Sequence, residues 1–236
     1  MARKLMVAMV MVGLALAGGP AGAAPGDPFG GDDSGFIPPD AATQKCEAKV
    51  GKTLATFVKC VEKCHASRAK GKLAVTPVDA EDGCEAVCEG KYDISIGKLS
   101  AVSGCPPGCM SPVSIRAIWE GVLDGNNNQI YCDAGTAFGG EDTGFVPATA
   151  AVALCETKVG GLAAKLVGCY LKCHASRSTE KLDATGEDAC ETSCTTAFSA
   201  KAGALTGCPP CLNPTTLATT LRTTANTDNG LVYCAQ

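Results

Sequence analysis

Sixteen cysteines in two matching sets of eight constrain this chain more than any other feature. Cys46, Cys60 and Cys64 recur 109 residues later as Cys155, Cys169 and Cys173, and Cys84 and Cys88 recur after 106 as Cys190 and Cys194. Cys105 recurs after 103 as Cys208, while Cys109 and Cys132 recur after 102 as Cys211 and Cys234. The offset shrinks only between cysteines, which is the pattern of two tandem copies with short deletions in the second. An even count at this density reads as a disulfide framework formed in an oxidising compartment. Each copy is small, and aromatics make up only 5% of the chain, so covalent staples are expected to supplement a modest core.

Each set contains the same pentapeptide, Cys64-His65-Ala66-Ser67-Arg68 and Cys173-His174-Ala175-Ser176-Arg177, and these hold the only two histidines. Cysteines four apart share one helix face. Two antiparallel helices carrying Cys-x-x-x-Cys therefore pair as a nested ladder, Cys60–Cys88 with Cys64–Cys84, and Cys169–Cys194 with Cys173–Cys190. Cys46 lies 14 residues before Cys60, ~1400° of helical rotation and ~21 Å away, so it lies near the same face. Its partner should lie comparably far beyond Cys88, which gives Cys46–Cys105 and, in the second copy, Cys155–Cys208. The remaining cysteines would then close within their own copy as Cys109–Cys132 and Cys211–Cys234. Spacing alone does not fix such connectivity.

Three helices are expected per copy. The first begins at Asp40 or Thr149, whose side-chain oxygens suit an N-cap; Cys46, Val50, Leu54, Phe57, Val61 and Cys64 then form a buried stripe. The second begins at Asp79 or Thr185 with acids in its first turn, Glu81 and Asp82 or Glu187 and Asp188. The third begins at Ser111-Pro112 or Asn213-Pro214, a capping residue before proline. Ile130-Tyr131-Cys132 and Val232-Tyr233-Cys234 read as short extended ends. The loop Phe29-Gly-Gly-Asp-Asp-Ser-Gly-Phe36 and its copy, Phe138 to Phe145, read as a clasp in which glycines permit the turn and both rings pack. The expected fold class is all-α: two tandem disulfide-stapled three-helix units, each a helical hairpin plus a third helix, over residues 24–135 and 136–236.

Residues 1–23 have the form of a secretion signal: basic Arg3 and Lys4, an apolar run from Leu5 to Ala17, and small residues at Ala21-Gly22-Ala23. Their removal leaves 18 Lys and Arg against 24 Asp and Glu, a net charge of −6. That acidity argues against nucleic acid or an anionic membrane as partner. No other stretch is long and apolar enough to span a bilayer. The expected location is secreted or periplasmic, with no membrane insertion after cleavage and a protein or envelope partner left open.

Three chemistries are suggested by motif. Cys60, Cys64, His65 and Cys169, Cys173, His174 extend the covalent haem motif by one residue, which would make each histidine an axial ligand. Cys208-Pro-Pro-Cys211 has redox spacing, although its counterpart Cys105-Pro-Pro-Gly-Cys109 does not. Asp124-Gly-Asn126-Asn-Asn128-Gln-Ile-Tyr-Cys132-Asp133 resembles the calcium loop of excalibur-type extracellular modules over ten residues. That resemblance implies calcium ligands at Asp124, Asn126 and Asn128, with asparagine at two positions where the family has aspartate. No nucleotide loop, nucleophile elbow or metalloprotease helix is present. The expected function is a non-enzymatic, exported structural or binding protein without cofactor, with a haem electron carrier and a thiol-based metal binder as alternatives.

Overall fold

The computed structural model describes residues 24–74, 80–102 and 104–235. The expected signal, residues 1–23, lies outside them, as does Asp79, the expected cap of the second helix. The described chain is mostly helical: α1 (Ala41–Ala69), α2 (Ala80–Leu99), α3 (Pro112–Gly125), α4 (Ala150–Ser178), α5 (Ala184–Gly203) and α6 (Pro214–Thr227). The long helices match at 29 residues and the third helices at 14, so the shrinking offset falls between them. Two antiparallel hairpins make "all-α" approximate: β1 (Pro28–Gly30) with β2 (Asp33–Phe36), and β3 (Thr136–Gly139) with β4 (Asp142–Val146). These hairpins are the two Phe-Gly-Gly loops. Phe29 and Phe138 are buried, whereas Phe145 is 40% exposed, so the clasp uses one ring where two were expected.

Helix starts follow their caps. Asp40 accepts from the backbone N–H groups of Ala42 and Thr43, and Thr149 accepts from Val152. Asn213 accepts from Thr216, ahead of Pro214 at the first helical position. The cap of α5 is Asp183, which accepts from Gly186, and not the expected Thr185. A carboxylate two residues earlier reaches the same orphan N–H groups.

The longest helices, α1 and α4, pack on each other and form the centre of a single continuous core. Val50, Leu54, Val58 and Val61 of α1 meet Val159, Ala163, Leu166 and Val167 of α4 there, all buried. The expected extended ends are instead short 3-10 helices, Asn127–Gln129 and Asn229–Leu231, followed by Ile130 and Val232 in helical backbone. The tight turns drive Tyr131 and Tyr233 inward, both 0% exposed. A Cβ on Gly160 of α4 would stand 3.1 Å from the Tyr131 hydroxyl oxygen, so the tail of the first half reaches into the helix of the second.

Crossing between halves is general. The β3–β4 hairpin docks on α1 and α3, and Phe145 N–H donates to Tyr131 C=O over 2.9 Å. The β1–β2 hairpin, although it precedes α1, docks on α6 and residues 229–231, and Phe36 N–H donates to Tyr233 C=O over 2.9 Å. The disulfides agree. The structure joins Cys46–Cys105, Cys60–Cys88, Cys64–Cys84, Cys155–Cys208, Cys169–Cys194 and Cys173–Cys190. The pairs Cys109–Cys132 and Cys211–Cys234 are not formed; Cys109 joins Cys234 and Cys132 joins Cys211. Closure within each copy is thereby corrected. The physical cause is the neighbouring acid: Glu156 of α4 accepts from the N–H groups of Cys132 and Asp133, drawing the first tail onto the second half.

A chain cleaved at a protease site engineered between Asp133 and Thr136 should therefore stay one covalent species in non-reducing gels and separate only with reductant. Separation without reductant would contradict the crossed bridges.

Candidate metal centre

The pentapeptide acts through three of its residues. Cys64, near the C-terminus of α1, is bonded to Cys84 of α2. The bridge places the next residue, His65, opposite the residue after Cys84, which is Glu85. Glu81 lies one turn earlier on the same face of α2, since residues four apart on a helix align. Arg68, one turn beyond Cys64, is buried and donates to Phe138 C=O over 3.0 and 2.7 Å. Its guanidinium also lies 5.9 Å from the Phe138 ring centroid, a cation–π contact. The clamp seats β3–β4, and that hairpin delivers Asp142. Asp124 arrives from the end of α3.

All four carboxylates converge on one atom. His65 Nε2 lies 3.4 Å from Glu81 Oε1, 2.9 Å from Glu85 Oε1, 3.3 Å from Asp124 Oδ1 and 3.3 Å from Asp142 Oδ1. His65, Glu81, Glu85 and Asp124 are each no more than 2% exposed. Around this cluster, Asn127 Nδ2 donates to Asp142 Oδ1 over 3.0 Å, and the Tyr131 and Phe138 rings stand edge-on to the imidazole.

The second half builds the same arrangement. The Cys173–Cys190 bridge sets His174 against Glu191, and Arg177 donates to Phe29 C=O over 3.1 Å to seat β1–β2. His174 Nε2 lies 2.8 Å from Glu191 Oε1, 3.4 Å from Glu187 Oε1, 3.2 Å from Asp33 Oδ2 and 3.2 Å from Asn226 Oδ1. Asn229 Nδ2 donates to both oxygens of Asp33, as Asn127 does to one of Asp142.

Such crowding is expensive. Burial pushes Glu81 and Glu85 up to about 7 and Asp142 up to about 9. Glu187 is likewise raised by burial, then by Asp33 and Glu191, to about 9. Burial alone would lower the His65 imidazolium, but Asp124, Glu85, Glu62 and Asp142 outweigh it and hold it well above its ordinary value. One imidazole N–H donates one hydrogen bond. It cannot by itself satisfy four carboxylates; Glu81 also hydrogen-bonds Asp142, and the second oxygen of buried Asp124, Oδ2, lacks a hydrogen-bond partner.

The motif-based candidates are redistributed. Asp124 joins the His65 cluster, but Asn126 donates to Val122 C=O and accepts from Gln129 at the helix end, and Asn128 is exposed. The residue of that loop which serves the site is Asn127. Cys60, Cys64, Cys169 and Cys173 are all consumed in bridges, leaving no thiol to bond haem or a soft metal. Cys208 and Cys211 belong to different bridges, so they are not a redox pair. Glu81, Glu85 and Asp142 with their counterparts Glu187, Glu191 and Asp33 were missed as site residues. Their signal was present: acids repeating at the cysteine offsets, with Glu85 and Glu191 directly after a paired cysteine. No family model, curated protein or solved structure matches this chain.

The raised carboxylates fix a pH dependence. Folded, cation-free protein holds protons that the unfolded chain has released, so its stability falls as pH rises from the ordinary carboxylate range through about 7 and about 9. Cation-free protein should therefore melt at least ~5 °C lower at pH 8.5 than at pH 5.5, as read by circular dichroism in chelator. A melting temperature that rises with pH in chelator would contradict the burial of these acids at raised pKa.

Proposed function

We propose that this chain is an exported, non-enzymatic metal-binding protein that holds one cation at the His65 cluster and one at the His174 cluster. The observation that carries the reading is that His65 with Glu81, Glu85 and Asp142, and His174 with Asp33 and Glu187, each bring one ligand atom within 4.8 Å of all the others, while Asp124 and Glu191 add an oxygen within 3.3 Å of the imidazole nitrogen. Oxygens and nitrogens at ~2.1 Å from a common ion and at right angles stand about 3 Å apart. A cation at that point supplies the positive charge that a single N–H does not. The donor set, one imidazole with carboxylate oxygens, suits hard and borderline ions such as manganese and iron over thiophilic copper(I).

Binding is favoured over catalysis by enclosure. Both histidines are 0% exposed, and the side chains around them come from three helices or helix ends and a clamped hairpin. The eight bridges support an oxidising, extracellular or periplasmic setting, and among the described residues no helix is long and apolar enough to cross a membrane. Secretion itself rests on the signal-like residues 1–23.

The test is metal content. Oxidised protein produced through a secretory route should carry two equivalents of metal by elemental analysis after dialysis against manganese or iron. His65→Ala and His174→Ala should each lose one equivalent, and the double variant both, with helical content retained. Binding at a thousand times the dissociation constant stabilises by ~4 kcal/mol per site, so chelator should lower the melting temperature at pH 7.5. Background metal together with melting unchanged by chelator would remove this function.

A further inference from the structure

The two clusters are equivalent in architecture but not in charge. Each residue of the first has a counterpart in the second, and three substitutions fall at the site. Asp124 is replaced by Asn226, which keeps an oxygen facing the imidazole at 3.2 Å but removes a charge. Glu62, buried one turn before His65, is replaced by the apolar Leu171. Glu120 is replaced by Arg222, whose guanidinium donates to Glu191 Oε2 over 2.8 Å and to Asp188 over 3.3 Å. Asn226 Nδ2 donates to that same Glu191 oxygen over 3.0 Å.

The consequence is electrostatic. Four carboxylates face His65 Nε2, with Glu62 as a fifth nearby, and Asp124 Oδ2 remains without a hydrogen-bond partner at 2% exposure. Three carboxylates face His174, and one of them is already half-neutralised by Arg222 and Asn226. Counting only the carboxylates within 3.4 Å of each imidazole nitrogen, a trivalent ion among four and a divalent ion among three each leave about −1, and Glu62 at the first centre and Arg222 at the second widen the charge difference in the same direction. In a buried site, where water screens little, residual charge dominates selectivity.

We infer that the His65 centre is built for a trivalent cation and the His174 centre for a divalent one, so that one chain sorts ions by charge. This rests on the metal-binding reading above. The probes are Tb3+ and Mn2+ with the intact, oxidised protein. Tyr131, with its ring centroid 6.4 Å from that of His65, would sensitise terbium luminescence at the first centre, and Mn2+ occupancy is read by electron paramagnetic resonance.

The expected result is one Tb3+ bound on the order of 100-fold more tightly than a second, with the tight site lost in His65→Ala and kept in His174→Ala. Mn2+ should fill the His174 centre when Tb3+ holds the other. Asp124→Asn should bring the two Tb3+ affinities to within about tenfold, and Asn226→Asp should tighten the weaker one. Should Asp124→Asn fail to fold, Asn226→Asp carries the comparison. Two equal Tb3+ sites, or a tight site lost in His174→Ala, would overturn charge sorting while leaving metal binding intact. Failure of both ions to bind would overturn the metal reading itself.

Discussion

A buried imidazole facing several carboxylates sets the terms for everything around it. Like charges at this distance in a dry interior repel strongly, and each ionised group loses its hydration. Left alone, such a cluster would be relieved by helices moving apart. The disulfide immediately before each histidine prevents this. Cys64–Cys84 and Cys173–Cys190 tie the helices at the level of the acids, so His65 cannot withdraw from Glu85, nor His174 from Glu191. The staples thus hold these side chains in place, and the proposed cation would relieve the repulsion without rebuilding the site.

The last aspartate of each site comes from a hairpin that the helical framework does not itself contain. Arg68 and Arg177 seat these hairpins through carbonyl hydrogen bonds and ring contacts. The hairpin on the second half lies at the start of the described chain, so the second site unites its beginning and its end: Asp33 with Asn226 and Asn229. The crossed bridges Cys109–Cys234 and Cys132–Cys211 lock the same closure. The two halves therefore share one core, and the first tail is held by an acid of the other half's long helix, Glu156, which accepts from Cys132.

Much of this framework is legible in the residues. Cysteines four apart on two helices carry their own pairing rule, because helical phase fixes which side chains can meet. Cysteines on irregular segments carry none. For Cys109, within-copy closure favours Cys132, and only the fold, with Glu156 holding the first tail on the second half and Tyr131 and Tyr233 turned inward, brings Cys234 to it instead. The site was hidden for a related reason. Glu81 and Glu187 stand where helix starts ordinarily carry acids, and Asp33 and Asp142 stand in glycine-rich turns where aspartate is common. Each has a sufficient local explanation, so the shared purpose appears only when the fold gathers them on a histidine. The loop from Asp124 was half readable: its aspartate points to the site, but the helical turn at Asn127 aims that residue inward and Asn128 outward.

The most direct measurement of the central claim is a crystal structure of protein purified from an oxidising compartment at neutral pH, with anomalous data collected above the manganese and iron absorption edges. The account predicts two anomalous peaks, each about 2.1–2.3 Å from the Nε2 of His65 or His174 and within bonding distance of the surrounding carboxylates. Clusters with no anomalous peak, their carboxylates sharing protons or ordered water, would contradict it.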